Sequence, residues 1–176
     1  LHPVAHSFPT RRSSDLFMRD VPHASGQNYV LGDPTDVTDL EVSAAQVVTF
    51  EPLEKPKRIY HTNHPFVNKD TGSWDAMMAH GEQVAPDLVA AVKASMTTFD
   101  RCDSLKNNME QAKTFSVETV KAILSSHEGG VCIHFEDSDH NYTAGCLVMV
   151  LDPLQPQMHA APGPGCETPF STLKFT

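Results

Sequence analysis

Residues 37–50 read VTDLEVSAAQVVTF, two short segments rich in β-branched residues with small and polar residues between them. Segments of this kind, at 37–42 and 46–50, are typical of two antiparallel strands. A further strand is predicted just upstream at 29–31, because the turn-forming residues GDPT at 32–35 separate it from the next segment. The chain therefore begins with an antiparallel sheet.

Beyond Gly72 the apolar residues recur at helical spacing. Pro86 suits the first turn of one helix, a second is predicted at 102–112, and Ser116 is a suitable N-cap for a third. Gly129 and Gly130 are expected to end the helical part. Three more strands are predicted at 131–134, 143–151 and 157–161, and the continuous apolar run 146–151 indicates a strand covered on both faces. Strands, then helices, then strands indicate an α+β fold.

Composition limits the classes of partner. The chain has 176 residues, enough for one domain, and a net charge of −9 that argues against a nucleic-acid partner. The apolar run 146–151 is too short to cross a bilayer, so no membrane partner is expected. The four cysteines show no C-x-x-C spacing and favour reduced thiols in a cytoplasmic compartment.

The first sixteen residues have a separate explanation. Residues 8–16, FPTRRSSDL, match the translation of a common short-read sequencing adapter. We therefore expect residues 1–16 to be an artefact without regular structure, and residues 17–176 to be the C-terminal part of a single domain. Any upstream signal or nucleophile would then lie outside this sequence.

A fourth strand is predicted at 58–61, and it runs into the segment His61-Thr62-Asn63-His64, which is followed by Pro65 and carries the candidate site. A side-chain amide such as that of Asn63 can donate a hydrogen bond to an oxyanion in acyl transfer. A metal-dependent hydrolase using His61 and His64 is an alternative. It is less favoured because residues at i, i+3 on an extended backbone face opposite sides, and no zinc-hydrolase spacing accompanies them.

Other clusters have simpler interpretations. The acidic residues 136–140 lack the glycine and distal glutamate of a calcium loop and indicate a solvated hairpin. Cys146 and Cys166 each follow a glycine, as at an autoproteolytic junction. Cys146 lies in an apolar strand, however, where an inert buried thiol is expected, and Cys166 lies in a turn-rich loop. Neither cysteine makes a persuasive nucleophile, and we expect no cofactor and no metal.

Four motifs in order resemble the acyl-CoA:6-aminopenicillanate acyltransferase family, which groups with choloylglycine hydrolases and penicillin V acylase. They are HASGQNY at 23–29, LEVSA at 40–44, HTNHP at 61–65 and MHAAPG at 158–163. The resemblance covers about residues 17–175. It implies an αββα sandwich, in which two stacked antiparallel sheets lie between outer helices.

The resemblance also implies a chemistry. A precursor cleaves itself before a cysteine, whose thiol attacks an acyl amide or acyl thioester while its own α-amino group acts as base. Asn63 then matches the oxyanion-stabilising residue, and His61, Thr62 and His64 shape the loop around it. All four cysteines follow Asn63, so the nucleophile is expected in a missing N-terminal part, and this fragment alone is expected to be inactive. A non-catalytic binding module on the same scaffold is the other alternative.

Overall fold

The computed structural model of the chain describes residues 11–54, 57–134 and 142–175. Residues 1–10 and the acidic cluster 136–140 therefore lie outside the described residues. The chain divides into two compact units, one formed by residues 1–59 with 65–80, the other by residues 60–64 with 81–176. Each unit has its own three-stranded antiparallel sheet.

The first unit contains the sheet predicted from residues 29–50. Its strands follow the chain order, so β2 lies in the centre and pairs antiparallel with both neighbours. Two further strands of two residues each follow, and they pair antiparallel with each other. The strands are β1 (Gln27–Gly32), β2 (Val37–Val42), β3 (Val47–Phe50), β4 (Leu53–Glu54) and β5 (Lys57–Arg58). The strands predicted at 29–31, 37–42 and 46–50 are confirmed as β1, β2 and β3, whereas β4 was not predicted.

Strand β2 is buried along nearly its whole length, although half of it is polar. Leu40 is fully buried and pairs with Tyr29 of β1 and Thr49 of β3. The Glu41 carboxylate, 2% exposed, accepts hydrogen bonds from three consecutive backbone N–H groups at residues 66–68, over 2.6–2.8 Å. These bonds satisfy a charge that would otherwise be costly to bury.

A helix precedes this sheet. Helix α1 runs from Arg11 to Asp20, so residues 11–16, for which the sequence predicted no regular structure, form its first six positions. An ion pair joins two successive turns of this helix, with 2.8 Å between Arg19 Nε and Asp15 Oδ1. Arg19 also donates from Nη2 to Thr49 Oγ1 at 2.7 Å, which ties the helix to β3.

The helices are α2 (Gly72–Val84), α3 (Pro86–Ser95), α4 (Thr98–Gln111) and α5 (Val117–Leu124). Pro86 opens α3, and Ser116 caps α5 by accepting a hydrogen bond from Thr119 N at 3.2 Å, so both start signals are confirmed. Helix α5 ends earlier than the glycines suggested. Gly129 and Gly130 instead belong to a 3-10 turn over Glu128–Gly130, and Gly130 is its last residue. Their φ angles are 64° and 73°.

The second sheet consists of β6 (Cys146–Val150), β7 (Gln157–Ala161) and β8 (Ser171–Lys174), antiparallel and in chain order. Strand β8 was not predicted. The strand predicted at 131–134 is wrong, because Cys132 N donates to Ser126 O at 2.8 Å and the segment bends instead of forming a ladder. The prediction that β6 is covered on both faces is also wrong. Val148 is buried, whereas Leu147 and Met149 are 58% and 61% exposed.

The α+β class is thus confirmed, with two small antiparallel sheets and helices between them in sequence. In residues 11–54, 57–134 and 142–175, no helix has both the length and the apolar character that a bilayer crossing requires.

Candidate functional site

The segment 60–64 forms an irregular connection in the second unit. The strand predicted to run into His61 stops at Arg58. Tyr60 is buried with 9% of its surface exposed, and it precedes the polar residues of the candidate motif. The motif therefore lies on a loop anchored at its start by an aromatic side chain.

Thr98, at the first position of α4, holds this loop in place. Its hydroxyl accepts a hydrogen bond from Asn63 N at 3.0 Å and lies 3.0 Å from His64 Nδ1. Thr62 Oγ1 lies 3.2 Å from the same ring nitrogen. The His64 ring also packs on Phe99, with ring centroids 3.9 Å apart. Thr62 and His64 thus take part in the contacts that hold the loop. Thr98, which is 4% exposed, is a site residue that the sequence did not reveal.

The side chain of Asn63 is exposed, while its backbone is fixed by Thr98. This arrangement leaves the amide accessible to a bound molecule. His61 is half-buried, and its Nδ1 is hydrogen-bonded to the Thr62 carbonyl. Within the described residues, His61 and His64 belong to no group of three or more potential metal ligands. No third ligand among the described residues therefore supports a metal-dependent hydrolase that uses His61 and His64.

The thiol next to this loop is poorly suited to attack a substrate. Cys102 lies one turn beyond Thr98 on α4 and is buried. Burial and the negative charge of Asp103 raise the pKa of the Cys102 thiol, against a smaller opposing effect of the hydrogen bond with Thr62. A thiol with a raised pKa is a weak nucleophile at neutral pH. Cys146 is likewise buried, and burial raises its pKa, as its apolar strand predicted.

A second polar cluster lies elsewhere in the same unit, and the sequence did not predict it. Its members, which we call the His-Cys cluster, are His127, Cys132, His134 and Cys166, and their potential ligand atoms all lie within 4.8 Å of one another. Cys132 is buried, and its Sγ is 3.4 Å from Cys166 Sγ. The only local signal is H-x4-C-x-H at 127–134, which is not a common zinc spacing, and the fourth member comes from a distant loop.

Comparisons of the chain with protein-family models, with curated proteins and with solved structures each found no match. A function is therefore inferred from the residues, their contacts and the resemblance of the motifs. Of the residues predicted from sequence, the structure brings Thr62, Asn63 and His64 together around Thr98.

Proposed function

We propose that the chain is part of a thiol amidohydrolase or acyltransferase in which Asn63 stabilises the oxyanion. The observation that carries this proposal is the contrast between the fixed backbone of Asn63 and its exposed side chain. An oxyanion donor must be held in advance and must also reach the substrate, because reorganisation during the reaction would cancel its benefit. His64 and Thr98 supply that rigidity.

The proposed reaction uses a cysteine that precedes Phe17 in the complete protein. Its sulfur attacks the acyl carbon while its α-amino group takes the thiol proton, and the carbonyl electrons move onto the oxygen that faces the Asn63 amide. Collapse of this intermediate breaks the bond to the leaving amine, or to the leaving thiol of an acyl thioester, which receives the proton. Water or a second amine then attacks the acyl-cysteine, releases the acyl group and restores the thiol.

The exposed face of the second sheet favours the αββα sandwich as the complete fold. Leu147, Met149 and Leu173 are each at least 50% exposed, and Met158 pairs with both Met149 and Leu173 in the register. A sheet face that is apolar over neighbouring strands is the kind of surface that packs on another sheet. We propose that strands from the N-terminal part of the same protein cover it.

The test begins with the coding sequence extended upstream of Phe17. The extended protein is expected to process itself before a cysteine and to hydrolyse or transfer the acyl group of simple N-acyl amides. Iodoacetamide should abolish this activity. Asn63→Ala is expected to lower kcat by about 10²–10³-fold, because one oxyanion donor is lost. Asn107→Ala, at an exposed position on α4, is the matched control.

Two results would contradict the proposal. If the extended sequence has no cysteine at the processing junction, the catalytic role fails and a binding module takes its place. If Asn63→Ala retains the kcat of Asn107→Ala in a protein that does process itself, the oxyanion role of Asn63 fails while the thiol chemistry stands.

A further inference from the structure

We propose that the His-Cys cluster binds one Zn²⁺ ion as a structural site in the second unit. The proposal goes beyond the acyl-transfer function, since it concerns different residues and does not depend on a nucleophile. It rests on the convergence of two sulfur and two imidazole donors within 4.8 Å.

The distances are close to those of a tetrahedral zinc site. With Zn–S of ~2.3 Å and Zn–N of ~2.0–2.1 Å, tetrahedral geometry places sulfurs about 3.8 Å apart and sulfur and nitrogen about 3.5 Å apart. Cys132 Sγ and Cys166 Sγ are 3.4 Å apart, and His134 Nε2 lies 2.9 Å from Cys166 Sγ. Each of these two pairs has to move apart by less than an ångström to admit the ion, and donors up to 4.8 Å apart have to move closer.

The identity and surroundings of the donors favour zinc. Two thiolates and two imidazoles form the S₂N₂ set that selects Zn²⁺, and together the thiolates balance its charge. On binding, each thiol releases its proton to solvent and its sulfur donates an electron pair to the metal. His134 presents Nε2 to the cluster, while its Nδ1 lies 2.9 Å from Glu167 Oε1. A carboxylate on the second ring nitrogen is the usual partner of a metal-binding histidine, because it fixes the tautomer.

The backbone brings the donors together before any metal binds. The hydrogen bond from Cys132 N to Ser126 O closes the loop that carries His127 and Cys132. The loop with Cys166 approaches it so closely that a Cβ on Gly165 would lie 2.7 Å from Ser125 Oγ. Hydrogen bonds from the backbone N–H groups of Glu167 and Thr168 to Pro164 O, at 3.1 and 2.8 Å, tighten the second loop.

Two other chemical roles would use only part of the cluster. Cys166, His134 and Glu167 are spaced like a nucleophile, its base and an orienting acid. Cys166 is exposed, but a nucleophile of this kind would leave the buried Cys132 thiol, 3.4 Å from its sulfur, and the imidazole of His127 without a function. The two cysteines are also free thiols that oxidation could join. Neither interpretation gives His127 a role, whereas a metal uses all four residues.

The test measures metal in the purified 176-residue chain under reducing conditions. We expect about one Zn²⁺ per chain after dialysis, as in four-coordinate structural sites. Replacement by Co²⁺ should produce the intense visible bands of tetrahedral cobalt together with thiolate-to-cobalt charge transfer. Cys166→Ser and His134→Gln should lose the bound zinc and the charge-transfer bands. Glu167→Gln should keep the geometry and bind about 10–100-fold more weakly.

Matched controls are Cys102→Ala and His80→Gln, which remove one thiol and one imidazole outside the cluster and should retain the metal. Should the cluster variants fold poorly, a measurement on the unaltered chain decides. Zinc should protect Cys132 and Cys166 from iodoacetamide, and a chelator should expose both. Trace zinc in the unaltered chain, equal zinc in Cys166→Ser and Cys102→Ala, or labelling of Cys166 that zinc does not change would each overturn the proposal. Labelling of Cys166 alone at high rate would identify the thiol nucleophile instead.

Discussion

At the scale of single residues, Glu41 shows how a buried charge is used to fix a loop. The side chain lies on the central strand β2, and its two oxygens accept bonds from Phe66 N, Val67 N and Asn68 N. The Asn68 amide returns a bond to the Glu41 carbonyl at 3.1 Å. The carboxylate therefore orders the chain that directly follows the HTNHP motif, within the first unit.

Glu41→Gln should destabilise the protein. The amide group keeps the shape of the side chain, but it removes the charge and turns an NH₂ group toward backbone donors. Leaving such buried groups without an acceptor costs about 1–3 kcal/mol, which should appear in the free energy of unfolding in urea. Glu110→Gln, at an exposed position on α4, should change that free energy by less than about 0.5 kcal/mol. Equal stability of the two variants would show that the carboxylate does not hold residues 66–68.

At the scale of elements, the connection after α5 depends on backbone geometry more than on side chains. Gly129 has φ of 64°, and an added Cβ there would collide with the carbonyl of Asp100 and lie 2.9 Å from Ser104 Cβ. The 3-10 turn thus packs directly on α4, and it carries the chain from His127 to Cys132. Only a residue without a side chain fits this position.

Gly129→Ala should therefore lower stability by more than about 1 kcal/mol, because the positive φ and the collision both oppose the methyl group. Gly72→Ala is the control, since a Cβ at Gly72 meets nothing within 4 Å. That variant should be neutral or slightly stabilising, because alanine reduces the freedom of the unfolded chain. Thermal unfolding of both variants, with and without zinc, measures the difference. A Gly129→Ala protein as stable as Gly72→Ala would contradict the tight packing.

At the scale of the whole molecule, buried thiols make stability depend on pH. Burial raises the pKa of Cys102 in α4 and of Cys146 in β6 above their ordinary values. The folded chain then keeps protons that the unfolded chain releases. Stability is complete below the ordinary thiol pKa of ~8.5 and falls as the pH rises through the higher folded-state values.

For the reduced, metal-free chain, the urea concentration at the midpoint of unfolding should therefore decrease as the pH is raised from about 7.5 to about 9.5. This range spans the ordinary thiol pKa. Replacing both Cys102 and Cys146 with alanine should lessen this fall, even though the cavities lower stability at every pH. A midpoint that stays constant or rises over this range would show that the buried thiols are not linked to folding. The slope of the midpoint against pH reports the titration of the thiols, whereas the absolute midpoint also contains the loss of packing.

The sequence by itself determined the elements whose signals are local. The β-branched segments set β2 at Val37–Val42, Pro86 set the start of α3, and Ser116 set the start of α5. It also predicted a non-helical backbone at His64 because Pro65 follows, and residues 60–64 do form an irregular connection. Each of these outcomes depends on residues within a few positions of one another, so spacing and propensity suffice.

Only the tertiary structure decided which distant residues meet. Thr98 lies 35 positions beyond Asn63, and Cys166 lies 32 positions beyond His134. The spacing of apolar residues in the sequence does not predict such contacts, because they depend on the path of the chain between elements. The segment 131–134 was mispredicted for a different reason. Its apolar residues suit a strand, but the hydrogen bond from Cys132 N to Ser126 O, only six positions away, bends the segment. Strand propensity is a weak preference, and such a bond overrides it.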